Sequence, residues 1–330
     1  MKIGVYSPNW IGDAVMALPF IHHLKEKNPE SKIIIICRDW VAAVYENHPE
    51  IDQIITISRS DIKGYFATRQ IGKSFQLLEL DVFYTLTDSF RSAAILGWSK
   101  AKIRIGFKSQ MRSIFLTDVI ENPKEKMHRS IKYLTLINIK IKADNSIGIK
   151  LTNGETQWAN EEFKNLKLKC PIAFFPFSVA SSRSIPNNKI KELLNGLNQS
   201  VLIMGSKGDV VLANLLINEC PGIKLINLCG KYSMRESMAL ISLCQFALAS
   251  DSGLGHISAS LGIPTISLFG AGDSEKTKPI GRQTFVINKN VHCSPCQKNI
   301  CMNTKDHLCC FNEILQIDVK NAIQSLNLNP

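Results

Sequence analysis

No run of about 18 apolar residues occurs in the 330-residue chain, so no membrane-spanning helix is expected. The start, Met1-Lys2-Ile3-Gly4-Val5-Tyr6, is too short and too soon interrupted for an export signal, and the expected location is the cytoplasm. Also missing is any Asp-x-Asp pair that could seat a divalent ion on a diphosphate. The pairs Glu50/Asp52 and Glu79/Asp81 precede strand-like runs and read as solvated turn residues. No acidic residue falls between Ser89 and Thr117, where six basic ones do: Arg91, Lys100, Lys102, Arg104, Lys108 and Arg112. Cysteine is plentiful, but half of the ten lie between Cys293 and Cys310, in the spacing Cys293-x2-Cys296-x4-Cys301-x7-Cys309-Cys310 with His292 and His307 nearby. A second Cys-x2-Cys knuckle is absent, which argues against an obligatory zinc and for structural thiols or a redox-labile pair.

A composition of 45% hydrophobic and 20% charged residues describes an ordinary globular protein, and the length exceeds one usual core, so two domains are expected. Net charge is +11. Residues 1–150 hold 22 basic against 15 acidic residues, a net +7, and the remainder 17 against 13, a net +4. The more basic first half suits an anionic partner, whether nucleic acid, an acidic membrane surface or a phosphorylated substrate; the competing reading is a solvated face.

Strand-like and helix-like segments alternate along the chain. Lys2 to Ser7 reads as a strand, Pro8 to Asp13 as a loop, and Ala14 to Lys25 as a helix that Pro19 bends or shortens, with Asp13 at its N-cap. Ile33 to Cys37 is an unbroken apolar run, as in a parallel strand covered on both faces. Helices follow at Trp40 to Asn47, over 61–80 and at His128 to Ile141. The polar stretch Lys142 to Asn160 marks the boundary, giving domains 1–150 and 151–330. In the second half, strands at Ile172 to Phe177, Val201 to Met204, Leu225 to Leu228, Phe246 to Ala249 and Thr265 to Phe269 alternate with helices, one beginning at His256. The fold class is α/β, with two doubly wound sheets. Asp13 and Asp251 both follow strand ends, where such sheets bind ligands. Asp251-Ser252-Gly253-Leu254-Gly255-His256 is a glycine loop between strand and helix, a site suited to a pyrophosphate because helix-start N–H groups lack intrahelical partners and the dipole adds positive charge.

Three stretches in order carry a family resemblance: Ser7-Pro8-Asn9-Trp10-Ile11-Gly12-Asp13-Ala14-Val15-Met16; the Asp251 to His256 loop with Gly262-Ile263-Pro264 and Phe269-Gly270; and the cysteine tail. Together they resemble the ADP-heptose:lipopolysaccharide heptosyltransferases, nearest the type II enzymes. The resemblance implies a GT-B fold, two Rossmann-like domains facing across a cleft, with a lipid acceptor on the first, a sugar nucleotide on the second, and inversion at the anomeric carbon. It implies Asp13 as the catalytic carboxylate, and Ser178, Asp209, Asp251, Ser252, Gly253, Leu254 and His256 against the donor. Arg183, in Arg183-Ser184-Ile185-Pro186, stands where the family usually has lysine, and its planar fork differs from lysine in reach and geometry. Trp10, Ser89, Arg91 and Arg104 are assigned to the acceptor. The implied partners are ADP-heptose, heptosyl-Kdo-lipid A and the cytoplasmic surface of the inner membrane, with no cofactor, no metal and no nucleic acid. Two other classes compete: a nucleic-acid-binding protein using residues 91–112 and a zinc-bound tail, for which no stacking or base-reading motif is present, and a nucleotide-sugar epimerase of similar architecture.

Overall fold

Short apolar runs, rich in isoleucine or phenylalanine and too apolar to face water on either side, become the inner strands of two parallel sheets, each covered by helices. The structure is a computed structural model that describes residues 1–139 and 147–328. It divides into two compact units, Met1–Lys150 and Leu151–Pro330. In the first, β1 (Lys2–Tyr6), β2 (Lys32–Arg38), β3 (Gln53–Ile57), β4 (Val82–Thr85), β5 (Ile103–Phe107) and β6 (Asp118–Ile120) lie in the order β3-β2-β1-β4-β5-β6. In the second, β7 (Ile172–Phe175), β8 (Val201–Ile203), β9 (Leu225–Asn227), β10 (Ala247–Ser250), β11 (Thr265–Phe269) and β12 (Thr284–Asn288) lie in the order β12-β11-β10-β7-β8-β9. Every pairing is parallel. Counted from its own first strand, each sheet therefore runs 3-2-1-4-5-6, and its order reverses beside the first strand, at β1/β4 and at β7/β10, the position where doubly wound sheets take ligands.

Several local expectations change. The helix expected at Ala14 to Lys25 is two: Ile11–Met16, then Leu18–Lys27 with Pro19 in its first turn, where a missing N–H costs nothing. Trp40 to Asn47 is a 3-10 helix, Asp39–Val44. The helix expected from His256 begins three residues earlier, Gly253–Ser260, because packing overrides the poor helix propensity of glycine. Strands β6 and β12 and the helix Gln316–Ser325 had no clear sequence signal. Residues 140–146, which include the end of the expected helix His128 to Ile141 and the start of the expected boundary stretch, lie outside the described residues.

The division between the units falls inside that polar stretch, at Lys150/Leu151, and a helix begins directly after it. Asn153–Asn165 is a helix opened by a capping box, in which the Thr152 hydroxyl accepts from Glu155 N at 3.2 Å and the Glu155 carboxylate accepts from Thr152 N at 2.7 Å. Glu155 also takes two bonds from Arg235, Nε and Nη2 each at 2.7 Å, which pins this helix to Met234–Ile241. The Arg235 bonds, chiefly, bring the Glu155 carboxyl down from 4.5 to about 2. A depressed carboxyl stabilises the fold above its unfolded value and loses that contribution as pH falls through the folded value, here between 4.5 and about 2. Glu155→Gln should accordingly lower stability to urea at about pH 7, and the gap from the parent should shrink at about pH 3.

Candidate functional site

Asp13 is the third residue of its helix, not the cap. Trp10 occupies the cap position, makes no side-chain cap bond and is 62% exposed. A carboxylate in the first turn is favoured by the helix dipole, and Asp13 has a stronger partner besides. Arg129, at the start of helix Arg129–Thr135, places Nη1 at 2.8 and 2.9 Å from the two Asp13 oxygens. Burial works against the Arg129 charge, but Asp13, helped by Tyr133 and Asp88, holds its pKa above the ordinary value. Tyr133 is pushed well up, by burial first and by the Asp13 charge next. Tyr45 is also raised by burial, and its hydroxyl lies 2.6 Å from Ser7 Oγ. The loop after β1 thus presents one carboxylate, oriented by one guanidinium, among neutral phenols. Nothing in local spacing pointed to Arg129, which lies 116 residues away.

The basic stretch is less of a binding surface than its composition suggested. Arg112 is fully buried; Nε and Nη2 bond to the Phe107 carbonyl at 2.9 and 2.7 Å, Nη1 bonds to Thr87 O, and Asp88 lies at 3.5 Å. Arg104 spends Nε on Phe115 O at 2.8 Å and Nη1 on Ala101 O at 2.6 Å, tying β5 to its flanking turns. Lys102 pairs with Asp81 and Lys108 with Glu121, each at 2.7 Å. The balancing carboxylates sit just outside the window that looked acid-free. Ser89 caps helix Phe90–Ser99 by accepting from Ser92 N at 3.2 Å, and Arg91 beside it is exposed.

In the second unit, Ser178 and Asp251 follow the neighbouring strands β7 and β10, and Ser178 Oγ donates to Asp251 O at 3.2 Å. Arg183, in the 3-10 turn Ser181–Arg183, reaches the same place, with Nη1 3.4 Å from Asp251 Oδ2. Asp251 is 7% exposed, and a Cβ on Gly272 would fall 1.9 Å from its Oδ2, so any side chain there would have to displace the carboxylate. Ser252 caps helix Gly253–Ser260 by position alone. Its side chain makes no cap bond, and its buried hydroxyl has no hydrogen-bond partner among the described residues. The first-turn N–H groups, Gly253 and Leu254 among them, are therefore left for an anion, while His256 is buried one turn in. Asp209, after β8, turns into its own loop, accepting from Ser206 N at 2.7 Å and Ser206 Oγ at 2.6 Å.

All ten cysteines are free thiols. Cys293, Cys296, Cys301, Cys309 and Cys310 line one small cavity, with Cys293 Sγ and Cys309 Sγ 3.8 Å apart. The loop carrying them is bonded to the Arg183 turn: Ser182 N donates to Asn299 O at 3.2 Å and Ser181 Oγ to the same oxygen at 3.3 Å. Gln297 N donates to Ala271 O at 2.8 Å, and Ser294 Oγ donates to Gly270 O. The one His/Cys/Asp/Glu group with ligand atoms close enough to share an ion among the described residues is His22, His23 and Glu26. Two of its rings already bond carboxylates, His22 to Glu50 and His23 to Glu26, each at 2.6 Å.

Two doubly wound sheets of the same strand order, each with polar side chains gathered at its switch point, have the architecture of the GT-B glycosyltransferases. Solved structures share it. The Escherichia coli ADP-heptose LPS heptosyltransferase II aligns over 99% of this chain and 98% of its own, with a TM-score of 0.82 at 22% identity. A glycosyltransferase family 9 protein of Veillonella parvula aligns over 98% and 96%, with a TM-score of 0.84 at 19% identity. The chain belongs to glycosyltransferase family 9 (heptosyltransferase), whose profile matches residues 68–307. It is 27% identical over 316 residues to lipooligosaccharide heptosyltransferase 2 of Haemophilus ducreyi, 87% of this chain and 88% of that one. To lipopolysaccharide heptosyltransferase 2 of Escherichia coli it is 25% identical over 311 residues, again 87% and 88%.

Proposed function

We propose that this enzyme moves an L-glycero-D-manno-heptosyl unit from ADP-heptose to the heptosyl-Kdo inner core of a lipid A precursor, at the cytoplasmic face of the inner membrane. The observation that carries the chemistry is the Asp13–Arg129 pair at the switch point of the first sheet, together with Arg183 and the open helix start at that of the second. In a single inverting displacement, the acceptor oxygen bonds to the anomeric carbon as the carbon–phosphate oxygen bond breaks. The hydroxyl proton goes to Asp13, and the electron pair leaves with ADP. The helix start and Arg183 neutralise the departing diphosphate, which assigns no step to a resident metal. Ser252 adds a hydroxyl donor, Ser178 holds the Asp251 backbone in place, and Gly253 and Gly272 keep the approach open. Domain 1–150 takes the acceptor, through Trp10, Ser89 and Arg91, and domain 151–330 the donor. Arg104 and Asp209 hold their own loops, and their contribution to binding is indirect.

Transfer from ADP-heptose to a heptose-deficient core acceptor tests the reading. A product carrying the added heptose supports it; isomerised donor with an unchanged acceptor would make the protein an epimerase.

Arg129 gives a separable prediction. A carboxylate facing an arginine is held ionised to lower pH, typically by ~1–3 units for close pairs, and is a weaker base for it. Arg129→Met should therefore move the acid limb of the kcat/KM profile upward by about one unit or more. An unmoved limb would mean that the carboxylate titrating there is not Asp13.

A further inference from the structure

The first unit carries an apolar ridge that runs outward from the edge of its core, where Phe115 packs, to exposed side chains. Tyr65 and Phe66 open helix Gly64–Ser74 and are 62% and 82% exposed. From them a chain of edge-to-face rings crosses the surface: Phe66 to Tyr65 at 5.5 Å, Tyr65 to Trp98 at 5.5 Å, Trp98 to Phe115 at 6.1 Å and Phe115 to Phe90 at 5.2 Å. The close approach is built in, since a Cβ on Gly72 would lie 2.9 Å from Trp98 Cβ and one on Gly97 2.8 Å from the Phe115 ring. At the Phe90 end, Phe90 N donates to Gln110 Oε1 at 3.1 Å, which brings in the neighbouring turn with Met111 at 91% and Ile114 at 79% exposure. Scattered exposed apolar side chains are ordinary, but a contiguous run of this kind is not.

All but one of the charges around the ridge are positive. Arg59 and Lys63 lie just before the first helix and Arg69 and Lys73 on it, and Arg91 and Lys100 stand at the two ends of helix Phe90–Ser99; all six are exposed, and none makes a salt bridge among the described residues. Asp61 is the one acidic residue on these segments, and its carboxylate accepts from Ser58 N at 2.8 Å. Aromatic and aliphatic side chains that can enter the headgroup boundary, framed by unpaired Arg and Lys, fit an anionic bilayer surface: the rings find an amphipathic layer and the cations find phosphates.

We propose that this ridge is the surface by which the enzyme docks on an anionic lipid bilayer, with Phe66 and Met111 inserting and the Arg59 to Lys73 and Arg91 cations setting the preference for acidic lipid. The inference deepens the reading of the acceptor as a bilayer lipid and rests on it. Arg91 and Ser89 lie on the helix that carries Phe90 and Trp98, so a docked ridge holds that helix start close to the headgroups from which the acceptor core projects.

Full-length protein should co-sediment with phosphatidylglycerol-rich vesicles, weakly with pure phosphatidylcholine ones, and less as salt rises. The double variant Phe66→Ser, Met111→Ser, changing two outward-facing side chains, should keep the parent melting curve and ADP affinity but lose at least about tenfold in vesicle partitioning. Parent-like partitioning of the variant, or no sedimentation of the parent, overturns the proposal. So does a concentration-dependent dimer that the double variant abolishes, which would make the ridge a contact between copies. Transfer to a detergent-free core oligosaccharide separates the two readings. Lost vesicle binding in the parent with transfer intact sinks docking alone, whereas vesicle binding without transfer sinks the acceptor assignment.

Discussion

Asp13→Asn should fold, bind ADP as the parent does, and transfer heptose at least ~100-fold more slowly, the lower end of what a general base contributes. An acceptor hydroxyl is a poor nucleophile while protonated, and inversion needs one base on the face opposite the leaving group. Asn keeps the size of the side chain and an oxygen for one Arg129 bond, so the helix start should survive. What it loses is proton affinity and the ion pair at 2.8 and 2.9 Å. Asp13 is not the helix cap, so a capping loss cannot account for a rate effect. Arg129 complicates the argument in one useful way. By favouring the ionised form it keeps Asp13 ready to accept, and by the same interaction it weakens the base, so Arg129→Met and Asp13→Asn should differ in kind. The first shifts the pH profile, and the second lowers turnover at every pH. Near-parental turnover of Asp13→Asn would reduce the carboxylate to an anchor for Arg129.

Arg183→Ala should cost about 100- to 1000-fold in kcat, in the range found when a preorganised donor to developing charge is removed, and should weaken ADP binding measured by calorimetry. Nη1 lies 3.4 Å from Asp251 Oδ2, and Nε has no hydrogen-bond partner among the described residues. The Asp251 contact therefore fixes the direction of the fork while leaving most of its N–H groups for phosphate oxygens. Arg183→Lys keeps the charge but not the fork, and should recover part of the ADP affinity. Gly272→Val should resemble Arg183→Ala without touching a charge, because its side chain would displace the Asp251 carboxylate. Parental ADP affinity in both Arg183→Ala and Gly272→Val would move the donor away from this switch point.

The sheets were legible because unbroken apolar runs such as Ile33 to Cys37 admit few other structures, and the glycine loop after β10 was legible because strand, loop and helix start follow one another in sequence. What the chain hides is pairing at a distance. Arg129 cannot be matched to Asp13, nor Gly272 to Asp251, without the fold. Arg104 and Arg112 show the opposite case, since both stand in a window free of acid and the fold turns their guanidiniums onto backbone carbonyls. Strand ends in a parallel sheet leave carbonyls that need donors, and these two guanidiniums serve Phe115, Ala101, Phe107 and Thr87. Thr152 and Glu155 have the spacing of a capping box, but the polar stretch around them was read only as the domain boundary.

The loop Ser294 to Asn299 is bonded both to the Arg183 turn after β7, through Ser181 and Ser182, and to the end of β11, through Gly270 and Ala271. Anyone building chimaeras within the family must therefore treat positions 172 to 311 as one transplantable block. Exchanging the nucleotide loops while keeping the recipient's own cysteine segment would graft a doorway onto the wrong frame, and the crossover belongs before β7 or after Phe311, not between them.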